Sequence, residues 1–175
     1  MVDKKLIEAI KNLDYNFDSY YIFDYPQFFK EACFFKETFK KVNPIFSYSY
    51  KTNYLKPLIK NIDKLNFLSE VVSPFEVQIS KTFGIDPSKI IYNGPLKDEN
   101  SIAYVLSNGG IVNADHLDEL KKIISIGSSL KPLSDLRIGV RLSFESINLF
   151  SRFGIQVNQR NIDQILNEFT LNSIN

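Results

Sequence analysis

Hydrophobic residues along this chain alternate between two kinds of run. Short apolar blocks at residues 45–50, 67–72, 90–92, 110–113 and 136–142 predict strands, and the stretches between them carry apolar residues at helical spacing. The first four blocks end roughly every twenty residues, the βα period expected when strands lie parallel and helices return over the outside. The helices are well punctuated. Pro26 suits a first turn, and behind it Phe28, Ala32, Phe35 and Phe39 form a predicted core-facing stripe that also carries Cys33. Ser73-Pro74-Phe75-Glu76 predicts a capping box, and Gly84 closes that helix. Asp115 is the expected cap of the helix bearing Leu117, Leu120 and Ile124, with Gly127 at its end. A short run at 20–23 precedes the Pro26 helix, and Ile162, Ile165, Leu166 and Phe169 mark a last one.

The first block has a finer pattern. On a strand, Phe46, Tyr48 and Tyr50 line one side, while Ser47, Ser49 and Lys51 line the other. The aromatic side is fit to pack under helices. The small side leaves room beside the amine of Lys51, and a lysine so placed can attack a carbonyl and form a Schiff base. From this segment alone, a solvated lysine closing a strand is the commoner reading.

Strands alternating with helices define an α/β chain with a parallel sheet, either open and doubly wound or closed into a (β/α) barrel. The dinucleotide G-x-G-x-x-G and the phosphate-cradling G-x-x-x-x-G-K-[ST] motifs are both absent, which weakens a nucleotide-binding reading. In a barrel, chemistry gathers at the carboxyl ends of the strands. Lys51, Ser73, Asn93, Asp115 and Arg141 all fall at or just past such ends.

Composition narrows the classes. The chain has 175 residues, 44% of them hydrophobic and 23% charged, an ordinary balance for one domain with a sizeable core. A net charge of +1 gives no electrostatic reason to expect a nucleic acid or an acidic membrane as partner. One cysteine, Cys33, and one histidine, His116, cannot build a disulfide or a His- or Cys-rich metal site, so no metal is expected. No stretch has the apolar length of a membrane span, and the amino terminus lacks the apolar core of a signal peptide, so a cytoplasmic location is expected.

Ordered blocks of residues carry a resemblance to a known family. Tyr48-Ser49-Tyr50-Lys51-Thr52-Asn53 resembles the Tyr-Ala-Val-Lys-Ala-Asn segment of the pyridoxal-phosphate-dependent diaminopimelate/ornithine/arginine decarboxylases, which have the alanine-racemase-type barrel. Glu70-Val71-Val72-Ser73-Pro74-Phe75-Glu76 resembles their Asp-Val-Val-Ser-Gly-Gly-Glu block. Residues 90–97 resemble a strand ending in His/Asn-Gly-Asn-x-Lys, and residues 113–120 resemble Val-Asp-Ser-x-x-Glu-Leu with His116 in place of the serine. Val140-Arg141-Leu142 and Ser151-Arg152-Phe153-Gly154 resemble Leu-Arg-Ile and Ser-Lys-Phe-Gly. Together the blocks cover about residues 20–157 and reverse the solvated reading of Lys51.

The resemblance implies a fold and an activity. The fold is a partial (β/α)8 TIM-type barrel, about its first five βα units. The activity is decarboxylation of a basic or diamino acid such as diaminopimelate or ornithine, with pyridoxal 5'-phosphate held by Lys51 as a Schiff base. Glu70 and Arg141 match positions beside the cofactor ring, and Glu76 matches an acidic residue near the site, with a capping box as its equal alternative. Arg152 matches a residue of the dimer contact, so a homodimer acting on a small-molecule amino acid is implied. A full barrel needs eight strands and typically ~250 residues. The family's later His-x-Gly-Ser strand, Gly-rich phosphate loop, ring-nitrogen glutamate and β domain have no counterpart here. Residues 1–175 are therefore expected to be the amino-terminal segment of a longer enzyme, inactive alone. An alanine-racemase-like or cofactor-carrier protein, and a non-catalytic remnant, are the alternatives.

Overall fold

The computed structural model describes residues 4–12, 22–144 and 151–172. The chain divides into two compact units, Met1–Phe35 and Lys36–Asn175. The first holds α1 (Lys4–Lys11) and most of α2 (Tyr25–Phe39). Asp24 opens α2 by accepting the Gln27 N–H at 3.0 Å, and the Phe23 ring packs on Phe28 with centroids 5.3 Å apart. Of the apolar run at 20–23, residues 20 and 21 lie outside the described residues, and Ile22 and Phe23 form no strand. The aromatic stripe of α2 keeps its helical spacing, yet no residue of the helix is fully buried, and Phe35 and Phe39 stay 50% and 44% exposed. Periodicity decides which residues share a face, not what covers that face.

The second unit is the α/β body. Its strands are β1 (Ser47–Ser49), β2 (Leu68–Val71), β3 (Ile90–Tyr92), β4 (Ile111–Ala114) and β5 (Arg137–Val140), all parallel and in the spatial order β1-β2-β3-β4-β5. Each connection carries a helix: α3 (Lys56–Lys64), α4 (Pro74–Thr82), α5 (Glu99–Ser107) and α6 (Leu117–Ser128). A monotonic strand order with right-handed crossovers lays every helix on one face; a doubly wound sheet would reverse its order midway. This is the arrangement of the first five βα units of a (β/α) barrel.

Burial follows strand parity. Ser69 and Val71 of β2, Ile90 and Tyr92 of β3, and Val112 and Ala114 of β4 are buried with Ile102, Leu106, Leu120 and Ile123 of the helices. The intervening residues, Glu70, Ile91, Ile111 and Asn113, are only partly covered and make up the other face. That face is the inner wall of the partial barrel.

Two predicted strands end early, for identifiable reasons. β1 stops at Ser49, where a 3₁₀ turn over Tyr50–Thr52 begins; Thr52 Oγ1 donates to the Ser49 carbonyl at 2.7 Å and closes that turn. Residues 136–142 do not form one strand, because the chain changes neighbours at Arg141. Its N–H donates to Ala114 of β4 at 2.9 Å, whereas its carbonyl accepts from Ile155 at 2.8 Å. Beyond it, β6 (Leu142–Ser143) pairs in parallel with β7 (Ile155–Gln156), and α7 (Gln159–Leu171) follows. Gly127 does not end α6. It lies within the helix, where a Cβ would overlap the Leu136 side chain.

The strand-to-helix turns after β2 and β4 share one device. Ser73 caps α4 by accepting the Glu76 N–H at 3.3 Å, and Glu76 Oε2 accepts the Val72 N–H at 2.8 Å. In α6 the cap is His116, not Asp115: its Nδ1 accepts the Glu119 N–H at 3.2 Å, and Glu119 Oε2 accepts the Asp115 N–H at 2.8 Å. In both cases the glutamate reaches one residue further back than in the ordinary capping box. Of the two glutamates, Glu119 is the ion-paired one. Lys97, with its side chain 0% exposed, donates to Glu119 Oε2 at 2.9 Å and to the Gly94 carbonyl at 2.5 Å. Removing one partner of such a pair strands a buried charge. Lys97→Met is expected to lower the unfolding free energy by roughly 3–5 kcal/mol, and adding Glu119→Gln to recover part of that loss, both read by urea denaturation.

Candidate active site

The carboxyl ends of the strands surround a cavity of about 500 Å³, whose walls include Lys51, Glu70, Asn93, Asn113, Arg141 and Phe153. Its size lies in the ordinary range for small-molecule and cofactor sites. Three residues predicted from sequence, Lys51, Glu70 and Arg141, thus come together on one cavity.

Local structure explains each placement. Lys51 rides on the 3₁₀ turn that leaves β1, between Tyr50, which is fully buried, and Thr52, which is exposed. Tyr50 anchors the turn by donating its hydroxyl to Ser69 Oγ at 3.1 Å, while the Tyr48 hydroxyl donates to the Asn53 carbonyl at 3.1 Å. With its neighbour pinned beneath the helices, Lys51 is left exposed at the cavity wall. Glu70 is on the inner parity of β2, opposite Ser49 of β1 and Ile91 of β3. Its Oε1 accepts from Asn93 Nδ2 at 2.9 Å.

Arg141 stands where the chain passes from β5 to β6, and its Nη1 donates to Asp115 Oδ1 at 3.1 Å. Asp115 is 6% exposed and the arginine side chain 43%, so the carboxylate is the buried partner that aims an accessible guanidinium. The same guanidinium lies 4.9 Å from the Phe153 ring centroid, within cation–π range.

The two weaker sequence expectations fall elsewhere. Glu76 is buried behind the wall as the α4 capping residue, and is not among the residues lining the cavity. It still feels the site electrostatically: burial pushes its carboxyl above the usual glutamate value and Glu70 adds to this, while the Val72 N–H and Lys51 oppose it. Arg152 is also off the cavity lining, with its guanidinium 4.8 Å from the Phe153 ring centroid. Sequence reasoning missed Asn113, Phe153 and the Asp115–Arg141 pair. Strand parity could have found Asn113, since it shares the inner side with Glu70 and Asn93. Nothing in the sequence pattern announces the pairing, which links residues far apart in the chain.

The donor set fits an aldehyde-bearing aromatic anion. Lys51 offers a primary amine to the aldehyde, Arg141 and the amides offer donors to anionic oxygens, and Val72 and Phe153 supply apolar wall. Known proteins agree with that chemistry. Residues 27–175 match the family described as pyridoxal-dependent decarboxylase, pyridoxal binding domain. The chain belongs to this family, whose cofactor is pyridoxal phosphate.

Among individual relatives, it is 26% identical over 155 residues to ornithine decarboxylase of Rattus norvegicus, covering 88% of this chain and 32% of that one. The crystal structure of a point mutant of diaminopimelate decarboxylase from Helicobacter pylori, complexed with L-lysine, aligns with a TM-score of 0.65 at 26% identity, over 78% of this chain and 34% of that chain. Arginine decarboxylase of Paramecium bursaria Chlorella virus, bound to agmatine, shares the fold with a TM-score of 0.73 at 18% identity, over 97% and 45% of the two chains. The chain thus spans about a third of the length of the curated relatives it matches.

Glu76 gives the site a pH signature. Its native carboxyl holds a proton more tightly than the unfolded one, so its contribution to stability is complete below the ordinary value of 4.5 and is lost as pH rises through the higher native value. Glu76→Gln is expected to flatten the stability profile in that window, measured as urea-unfolding free energy against pH.

Proposed function

We propose that this chain is the lysine-bearing, amino-terminal segment of a pyridoxal-phosphate-dependent decarboxylase acting on a basic or diamino amino acid, such as ornithine or diaminopimelate. The observation that carries the reading is the convergence of Lys51, Glu70 and Arg141 on one cavity at the strand ends, in a chain of this family. Several of the relatives are named as decarboxylases of ornithine or diaminopimelate, which supports the substrate class.

In this reading each residue has a task. Lys51 is the catalytic residue: its primary amine, exposed at the cavity wall, would hold the cofactor by its aldehyde. When bound, pyridoxal phosphate would supply an electron sink for the pair left on the substrate carbon as carbon dioxide departs. Glu70 offers a fixed negative charge beside Lys51. Arg141, aimed by Asp115, receives an anionic oxygen of the bound molecule. Glu76 holds the turn between β2 and α4 and tempers the charge near Lys51. Arg152, outside the cavity, serves a homodimer contact. The remaining barrel strands and a β domain complete the site, and the enzyme is cytoplasmic. Among the described residues no helix is long and apolar enough to cross a membrane.

Borohydride trapping tests the lysine directly. The chain is mixed with stoichiometric pyridoxal phosphate, reduced, digested, and the modified lysine located by mass spectrometry. Label confined to Lys51, and abolished in Lys51→Ala with helix content unchanged, is the expected result. Label scattered over surface lysines, or persisting in Lys51→Ala, overturns the assignment.

A further inference from the structure

Glu70 does not take its position alone. Three other residues on the same inner face, on or just past β3, β4 and β5, form a line that ends at its carboxylate. Asn113 of β4 donates through Nδ2 to Asn93 Oδ1 at 2.6 Å, and Asn93, just past β3, donates through Nδ2 to Glu70 Oε1 at 2.9 Å. The register explains the line. Val71 pairs with Tyr92, Tyr92 with Val112, and Asn113 with Gly139, so parity turns Glu70, Asn93, Asn113 and Gly139 to one side.

The sense of the line is dictated by its end. A carboxylate oxygen can only accept, so Asn93 must turn its amide nitrogen to Glu70 and its oxygen to Asn113, which must in turn present nitrogen.

Gly139 of β5 makes the line possible. Its backbone is not in the left-handed region, so glycine is not needed there for its dihedral freedom. A Cβ at this position would overlap Asn113 Oδ1 and come within 3.1 Å of Asn113 Cγ. Glycine inside a strand weakens it, and its usual compensation is the close approach of another group. Here that group is the amide oxygen at the start of the relay.

We infer that Asn93 and Asn113, seated by Gly139, are positioning residues that hold the Glu70 carboxylate by one oxygen and leave the other for the Lys51 side of the cavity. Among the described residues Glu70 Oε2 has no hydrogen-bond partner. The charged groups around it are Lys51 on the turn after β1, Glu76 on α4, and Arg141 past β5. A carboxylate free to rotate would divide its charge among these. One fixed by the relay directs it. The inference rests on Lys51 being the cofactor lysine, and it extends the site to a glycine on β5.

Gly139→Ala tests it, because its ordinary backbone conformation accepts alanine and the overlap falls on a short side chain that can turn away. Two readouts are taken. The first needs no cofactor: the side-chain amide signals of Asn93 and Asn113 in nuclear magnetic resonance. They are expected to be protected from solvent exchange in the wild type and to lose that protection in Gly139→Ala, with backbone amides unmoved.

The second is the rate at which Lys51 captures pyridoxal phosphate, followed by borohydride trapping, in Gly139→Ala, Glu70→Ala and the double variant. Misplacing the carboxylate is expected to slow capture by roughly tenfold in Gly139→Ala, with no further loss when Glu70 is already absent. An equal loss in the Glu70→Ala background marks a merely structural effect and overturns the inference. So do amide signals indifferent to Gly139→Ala. A wild-type chain that never captures the cofactor at Lys51 overturns the reading of that lysine and the positioning role with it, while the cofactor-free signals report separately on whether the relay exists.

Discussion

A parallel strand leaves no choice about which side of the sheet a residue faces, since one step along the chain reverses it. Everything at this site depends on that constraint. In-register pairing of five strands carries one parity across the whole sheet, so Glu70, Ile91 and Ile111 share the cavity side while Ser69, Ile90 and Val112 lie on the other. Lys51 comes at the point where strand geometry ends. Had β1 run one residue further as a regular strand, Tyr50 would still be buried, but the 3₁₀ turn that carries the amine to the cavity would begin later.

The two strand-to-helix turns show how one local device can serve different ends. Glu76 and Glu119 make the same backbone bond, each accepting the N–H of the residue before the cap. Glu119 is balanced by Lys97 and helps lock two loops together. Glu76 has no such partner among the described residues, and the cost of burying it shows as a carboxyl that gives up its proton reluctantly. A charge whose ionisation is held back by burial, close to Lys51 and Glu70, is a site-like environment made from a helix cap.

Much of this was legible in the sequence, and the remainder fails for physical reasons. Strand order, helix placement and the convergence of Lys51, Glu70 and Arg141 follow from local periodicity and from ordered blocks of residues. The strand limits at Ser49 and Arg141 do not, because they are set by hydrogen bonds to Thr52 and to a distant Ile155. The cap on α6 is His116 rather than Asp115, whose carboxylate is instead paired with Arg141, a pairing no local pattern contains. Gly127 and Gly139 read as a helix end and an ordinary strand residue. Both are glycine because another side chain occupies the space of a Cβ. The α2 stripe is the opposite case, a correct period whose burial the pattern cannot supply.

The sequestration of Lys97 has a consequence for chemical selectivity. Lys51 stands on the cavity wall, whereas Lys97 is not among the lining residues, although its Nζ is bonded to the carbonyl of cavity-lining Gly94. Lys97 is tied to that carbonyl and to Glu119, and its side chain is wholly withdrawn from solvent. In the proposed reading, Lys97 offers no competing amine to an aldehyde held at Lys51, although it stays in the chain as half of a buried ion pair. Selectivity among lysines then comes as much from hiding one amine as from presenting another.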